Sequence, residues 1–81
     1  MTRDEIRDTV LRCLAAIAPE ADLSRLLPNA SIRDELDIDS VDFLNFVIAL
    51  HDKLQVDIPE TEYAKIATLE KCVEYLSSHA A

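Results

Sequence analysis

Residues 36–44 read LDIDSVDFL, with one serine, Ser40, between acidic residues and directly before a dense apolar segment. Asp39 or Ser40 can accept hydrogen bonds from the free backbone N–H groups that open a helix, so the stretch predicts a helix start. A hydroxyl at such a start is exposed where N–H groups converge and the helix dipole is positive, which favours an attached phosphate. Ser40 is therefore either a plain helix cap or an attachment point.

The apolar residues that follow Ser40 recur at helical spacing on two faces, up to Leu54. The broad face is predicted to form the core and contains Phe43, Phe46, Val47, Leu50 and Leu54. The narrower face, called the exposed stripe below, consists of Val41, Leu44 and Ile48. A chain this short cannot easily surround a helix, so we expect the exposed stripe to bind partners.

The sequence before Ser40 predicts one helix and a long connection. Thr2 and Glu5 have the spacing of a capping box, so a first helix should begin at Arg3. Residues 19–38 begin with a proline and lack periodicity, although apolar side chains recur throughout. We expect a long ordered loop there, with a helical turn near residues 23–27.

The sequence after the central helix predicts two further helices. Pro59 can open a short helix over residues 60–65, and Thr68 can cap a last helix whose tail, residues 77–81, should fray. The predicted fold is therefore all-α: a small four-helix bundle with a long ordered loop between helices one and two and a short third helix. Residues 1–81 are expected to form a single domain.

Composition restricts the class of protein. The chain has 81 residues, is 49% apolar and contains no glycine, which argues against a β-sandwich or a glycine-rich phosphate loop. The formal net charge of −8 argues against nucleic acid or an anionic membrane as the partner. No apolar run could span a membrane, and the N-terminus does not resemble a signal peptide. We expect a cytoplasmic protein with Cys13 and Cys72 as reduced thiols, a disulfide between them being the alternative.

The chemistry of a reactive or metal-binding site is not predicted. A nucleophile elbow needs glycines, and His51 lies too far along the same helix to activate Ser40. An EF-hand loop fails because its third ligand would be Val41 and its turn glycine would be Asp42. The cysteines and histidines lack zinc spacing. We therefore predict no catalytic residue and no metal ligand.

Residues 39–50, DSVDFLNFVIAL, resemble the signature of acyl carrier proteins, in which an Asp-Ser-Leu type motif opens the second helix. Residues 58–76 resemble the third and fourth helices of that family, so the likeness covers nearly the whole chain. The resemblance implies a carrier and not an enzyme. Its serine would bear 4′-phosphopantetheine, which holds acyl intermediates as thioesters in fatty-acid, polyketide or related biosynthesis.

The resemblance also implies roles for individual residues. Ser40 matches the attachment serine, and Asp39 matches the acidic neighbour recognised by a phosphopantetheinyl transferase. The positions that match partner-binding residues are Val41, Asp42, Leu44 and Ile48. The implied partners are acyl-activating, condensing or acyl-transferring enzymes with basic docking patches, and the carrier is expected to be a monomer.

Departures from the family pattern leave alternatives open. Asp37 stands where the family often has glycine, and Asn45 and His51 stand where glutamate is common. These changes indicate a specialised carrier. One alternative is an aminoacyl or peptidyl carrier. Another is an unmodified helical adaptor, in which Ser40 is only a cap and the exposed stripe docks one fixed partner.

Overall fold

The computed structural model describes residues 1–79 and confirms the all-α prediction. The α-helices are α1 (Arg3–Ile17), α2 (Ile32–Leu36), α3 (Ser40–Leu54) and α4 (Leu69–His79). Two 3-10 segments, Leu23–Arg25 and Glu60–Ile66, complete the order of elements. Within residues 1–79 there is no strand, only an isolated bridge between Ser31 and Thr68. None of the described helices is long and apolar enough to cross a membrane.

Helix α1 begins at the predicted capping box. The Glu5 N–H donates to Thr2 Oγ1 at 3.1 Å, and the Thr2 N–H donates to Glu5 Oε1 at 3.0 Å. These bonds satisfy donors that the first helical turn would otherwise leave unpaired. The helix ends at Ala18, whose N–H donates to Leu14 O, directly before the proline at position 19. The helix therefore begins where the sequence predicts, and it ends where the following proline could not continue it.

The connection over residues 19–38 contains more helix than the sequence prediction allows. The predicted helical turn is present as the 3-10 segment at Leu23–Arg25. The five-residue helix α2 was not predicted, and it adds one helical turn to the predicted loop. Ser31 Oγ accepts from the Asp34 N–H at 3.4 Å and caps α2. The Ser-x-x-Asp spacing was a signal for this start, but one helical turn is too short to show periodicity.

Helix α2 is fixed to the rest of the bundle at its first residue. The Ile32 N–H donates to Ala67 O at 2.9 Å, and the Ile32 side chain is fully buried. The Glu70 N–H donates to Pro28 O at 2.8 Å, which attaches the loop to the start of α4. The long connection is therefore ordered, as predicted, because its backbone bonds to the segment that opens α4.

Helix α3 packs into the core with the face that the sequence predicts. The buried residues of α3 are Phe43, Phe46, Val47, Leu50 and Leu54. The Phe43 ring lies 5.7 Å from Phe46 and 5.7 Å from Tyr63, centroid to centroid, the latter edge to face. Such aromatic pairs add stabilisation beyond the burial of their area. Tyr63 thereby fixes the second 3-10 segment against α3.

The C-terminal part of the chain follows the prediction with two differences. The short helix is a 3-10 helix, Glu60–Ile66, and not an α-helix. Thr68 caps α4 as predicted, with its Oγ1 accepting from the Lys71 N–H at 3.1 Å. Helix α4 extends to His79, so the predicted fraying at residues 77–79 is wrong, and residues 80–81 lie outside the described residues.

The core joins all four α-helices, and α1 packs against both α3 and α4. Both cysteines lie in this core as free thiols, as predicted: Cys13 on α1 and Cys72 on α4. Burial raises the pKa of both thiols, and that of Cys72 to about 12. A thiol with so high a pKa stays neutral and packs as a small apolar side chain.

Candidate functional site

The start of α3 separates the roles of Asp39 and Ser40. Asp39 is the N-cap: its Oδ1 accepts from the Asp42 N–H at 2.8 Å, and its backbone oxygen accepts from the Phe43 N–H at 3.0 Å. Ser40 is the first helical residue and is exposed. No hydrogen bond within residues 1–79 involves the Ser40 hydroxyl. The serine is therefore not the cap, and the interpretation of Ser40 as a plain cap is wrong.

A tight turn between α2 and α3 delivers Ser40 to the surface. Asp37 ends α2 in the left-handed conformation, with φ 50° and ψ 46°. The next residue, Ile38, is buried in the core. A left-handed conformation strains a residue that has a Cβ atom, although aspartate tolerates it better than most. Asp37 thus adopts a backbone conformation that glycine adopts most readily.

The side chains of the exposed stripe are accessible to solvent in the structure, as predicted. Val41, Leu44 and Ile48 are 64%, 47% and 50% accessible, whereas the five residues on the opposite face of α3 are buried. Three of the five large exposed hydrophobic residues among residues 1–79 therefore lie on this face. Single exposed apolar side chains are ordinary, but a contiguous set marks a binding surface.

A groove of about 360 Å³ lies beside Ser40. Its walls come from three elements: α2, the first turns of α3 and the 3-10 helix at Glu60–Ile66. The lining residues are Arg33, Ser40, Val41, Phe43, Leu44, Glu60 and Tyr63. A larger cavity, of about 590 Å³, lies at the end of α1 and contains neither Ser40 nor any residue of the exposed stripe.

The charges around the helix start are mostly negative. Asp37 and Asp39 are exposed, and Asp42 is half-buried. One cation, Arg33, lines the groove at the same end of α3. Further along α3 the residues Asn45 and His51 add no negative charge, in contrast to the acidic start. Among residues 1–79, no group of three His, Cys, Asp or Glu residues could hold a metal ion.

The structure brings all six predicted site residues onto one helix, with Asp39 at its cap and Ile48 in its third turn. Sequence reasoning missed the opposite walls of the groove, which are formed by Arg33, Glu60 and Tyr63. These residues lie on α2 and the 3-10 helix, and no spacing in the sequence links them to Ser40. Only the placement of α2 brings Arg33 to the site.

Fold and site together define a class: a small helical bundle with an accessible serine at a helix start and an apolar face beside it, as in carrier domains. The family model described as "Phosphopantetheine attachment site" matches residues 8–76. The chain is 33% identical to the "Acyl carrier protein" of Rubrobacter xylanophilus, over 98% of this chain and 96% of that protein. It is also 33% identical to the "Acyl carrier protein" of Lactobacillus acidophilus, with 98% of each chain covered.

A plant relative is more distant. The "Acyl carrier protein 2, mitochondrial" of Arabidopsis thaliana is 29% identical over 98% of this chain and 62% of its own length. The family match covers most of the chain and agrees with the relatives, so the chain belongs to the acyl carrier protein family. Members of this family bear 4′-phosphopantetheine, act as carriers without catalytic activity and work together with biosynthetic enzymes.

The residues at the start of α3 fit this prosthetic group. The Ser40 hydroxyl is accessible and has no hydrogen-bond partner within residues 1–79, so its oxygen is available for a phosphodiester bond. The helix dipole is positive where the phosphate would lie. The groove beside Ser40 has both apolar walls and a cation, Arg33, which suit an arm with a phosphate at one end.

Proposed function

We propose that Ser40 carries the 4′-phosphopantetheine arm, and that the protein transports acyl groups in fatty-acid, polyketide or related biosynthesis. The observation that carries the proposal is the division of roles at the helix start. Asp39 caps α3, which leaves the Ser40 hydroxyl without a structural task. Ser40 lines the groove together with Val41 and Leu44 of the exposed stripe. We also propose that residues 1–81 form one carrier domain, monomeric and cytoplasmic.

Attachment needs an external enzyme, because no base within residues 1–79 forms a hydrogen bond with the Ser40 hydroxyl. The donor is coenzyme A and the enzyme is a phosphopantetheinyl transferase with a divalent ion. Ser40 Oγ forms a bond to the phosphorus that bears the pantetheine, and the bond from that phosphorus to the bridging oxygen breaks, which releases adenosine 3′,5′-bisphosphate. The hydroxyl proton passes to a base of the transferase. Asp39, exposed beside Ser40, is the residue that the transferase is proposed to recognise.

The role of the protein is to keep a substrate near the enzymes that act on it. The thiol of the arm supplies a thioester bond to the acyl group. Because the arm is tethered at Ser40, each docking event presents the acyl group at a high effective concentration. Brief contacts suit this role, since a carrier must also dissociate.

The partner surface is proposed to be the exposed stripe together with Asp42. Apolar side chains supply contact area, while Asp42 and its acidic neighbours favour enzymes with a basic docking patch. The transferase and enzymes that activate, condense or transfer acyl groups are the proposed partners. The net charge of −8 supports fast, charge-steered encounters with them.

Intact mass spectrometry tests the attachment. The purified apo protein is incubated with coenzyme A and a phosphopantetheinyl transferase, and one phosphopantetheine mass should be gained. Ser40→Ala should abolish the gain while its circular dichroism spectrum stays unchanged. Ser24→Ala, at another exposed serine, is the matched control and should still be modified. A gain that survives Ser40→Ala would exclude this site.

Two exposed leucines allow a matched test of the stripe. Leu44 is 47% accessible on the exposed stripe, and Leu27 is 61% accessible elsewhere on the surface. Either change to alanine should alter the free energy of unfolding by no more than about 0.5 kcal/mol. Only Leu44→Ala should weaken binding of the transferase in titration calorimetry. Equal losses for both variants would contradict docking at the stripe.

The same experiments separate the alternatives. An unmodified adaptor that docks through Val41, Leu44 and Ile48 would keep its function when Ser40 is replaced by alanine. An aminoacyl or peptidyl carrier would be modified at Ser40 but would hold an amino acid on the arm. Mass spectrometry of protein from its native host identifies that cargo directly.

A further inference from the structure

Arg33 is an unpaired cation at the edge of the groove beside Ser40. Its Cζ atom lies 6.0 Å from the centroid of the Phe43 ring, and its side chain is exposed. Arg33 forms no ion pair within residues 1–79. In this contact the guanidinium lies over the face of the ring, and none of its N–H donors is used in a hydrogen bond. All five donors therefore stay available to an anion.

The position of Phe43 brings this cation close to the proposed attachment point. Ser40 and Phe43 are three residues apart on α3, so their Cβ atoms are neighbours at about 5–6 Å on one helix face. Arg33, Ser40 and Phe43 also line one groove. A group bonded to Ser40 Oγ thus begins next to the ring on which the guanidinium lies.

The surrounding charges explain why a cation is needed there. A phosphodiester on Ser40 would add a negative charge among Asp37, Asp39 and Asp42, and repulsion would direct it away from them. Arg33 is the one cation that lines the groove, which also contains Glu60. The nearby 3-10 helix contains Lys65, but this lysine already pairs with Glu62 at 2.7 Å.

We propose that Arg33 is a positioning residue that donates guanidinium hydrogen bonds to the phosphodiester on Ser40 and so directs the first bonds of the arm into the groove. Arginine suits this role because its fork of donors matches two phosphate oxygens at once. The inference depends on attachment at Ser40, which the mass measurement tests separately.

Magnetic resonance of the apo and holo forms tests the contact directly. Loading the arm should shift the Arg33 Nε–Hε signal and leave that of Arg12, an exposed arginine on α1, unchanged. The ³¹P signal of the holo protein should move in Arg33→Gln, less in Arg33→Lys, and not in Arg12→Gln. The proposal is overturned if the Arg33 Nε–Hε signal is the same in the apo and holo forms, or if Arg33→Gln leaves the ³¹P signal unchanged.

A stability measurement gives a second test, designed so that any contribution of the Arg33–Phe43 contact to the stability of the fold cancels. The unfolding equilibrium constant is compared between the holo and apo forms of each variant, so a loss common to both forms cancels. Arg33→Gln should raise the holo-to-apo ratio of unfolding constants about two- to fivefold, as expected for an exposed charged pair, and added salt should reduce this effect. An unchanged ratio contradicts the contact. A wild-type protein that gains no mass overturns the attachment at Ser40 as well.

Discussion

Replacing Asp39 should cost more stability than replacing Ser40, although Ser40 is the residue of functional interest. Asp39→Ala removes the acceptor of a 2.8 Å bond from the Asp42 N–H and leaves that donor to water. Loss of such a cap costs about 1 kcal/mol, within a range of roughly 0.5–2 kcal/mol, or about fivefold in the unfolding equilibrium. For a domain of this size, about 1 kcal/mol lowers the thermal midpoint by roughly 4–8 °C.

Ser40→Ala should leave stability within about 0.5 kcal/mol of wild type, because the hydroxyl bonds to nothing within residues 1–79 and alanine is the better helix former. Asp39→Asn keeps the cap and removes the charge, so it should lose only the dipole contribution of about 0.3–1 kcal/mol. Urea unfolding followed by circular dichroism ranks the four proteins. A cost for Ser40→Ala equal to that for Asp39→Ala would refute the assignment of Asp39 as the cap.

Three further predictions concern other elements. Asp37→Gly should raise the free energy of unfolding by about 0.5–1 kcal/mol in urea titrations, and Asp37→Ala should not, because only glycine removes the left-handed strain at φ 50°. Hydrogen bonds with Thr2 lower the pKa of Glu5 below its ordinary value of 4.5. Ionised Glu5 should therefore make the wild type more stable than Glu5→Gln above pH 4.5. This advantage should disappear as pH falls through the folded-state pKa, so the thermal midpoints of the two proteins should converge in acid. Midpoints that diverge in acid would contradict the prediction. With a pKa of about 12, only about one Cys72 thiol in ten thousand is ionised at pH 8. Cys72 should therefore resist alkylation in the folded protein and react in urea. Equal alkylation rates in buffer and in urea would contradict its burial.

The two faces of α3 could be predicted because the helix is long enough to repeat. Across its 15 residues, the helical period sorts Phe43 and Leu50 to one side and Leu44 to another, and the structure agrees. Helix α2 has five residues, so the sequence signals it only through a capping spacing and through Asp37, which marks the end of a helix less clearly than a glycine would. Short elements depend on contacts such as the Ile32–Ala67 backbone bond, which local sequence does not encode.

The groove could not be predicted for a related reason. Its walls come from three separate elements, and Arg33 contributes only because α2 forms and packs near the start of α3. Tyr63 contributes through an edge-to-face contact with Phe43 that depends on the path of residues 55–59. The sequence contains the residues of the site on α3 in one pattern. The other groove residues, Arg33, Glu60 and Tyr63, come together only through the packing of the folded chain.

The separation of the two α3 faces has a consequence for a carrier that must exist in several loaded states. The Ser40 hydroxyl has no hydrogen-bond partner within residues 1–79, and the cap of α3 is formed by the neighbouring Asp39. Adding or changing a group on Ser40 therefore alters no bond on which the fold depends, while the buried residues Phe46 and Leu50 keep the helix in place. The fold would then be the same in every state, so discrimination between loaded and empty forms would have to come from the arm and from the groove beside it, which Val41 and Leu44 of the exposed stripe also line.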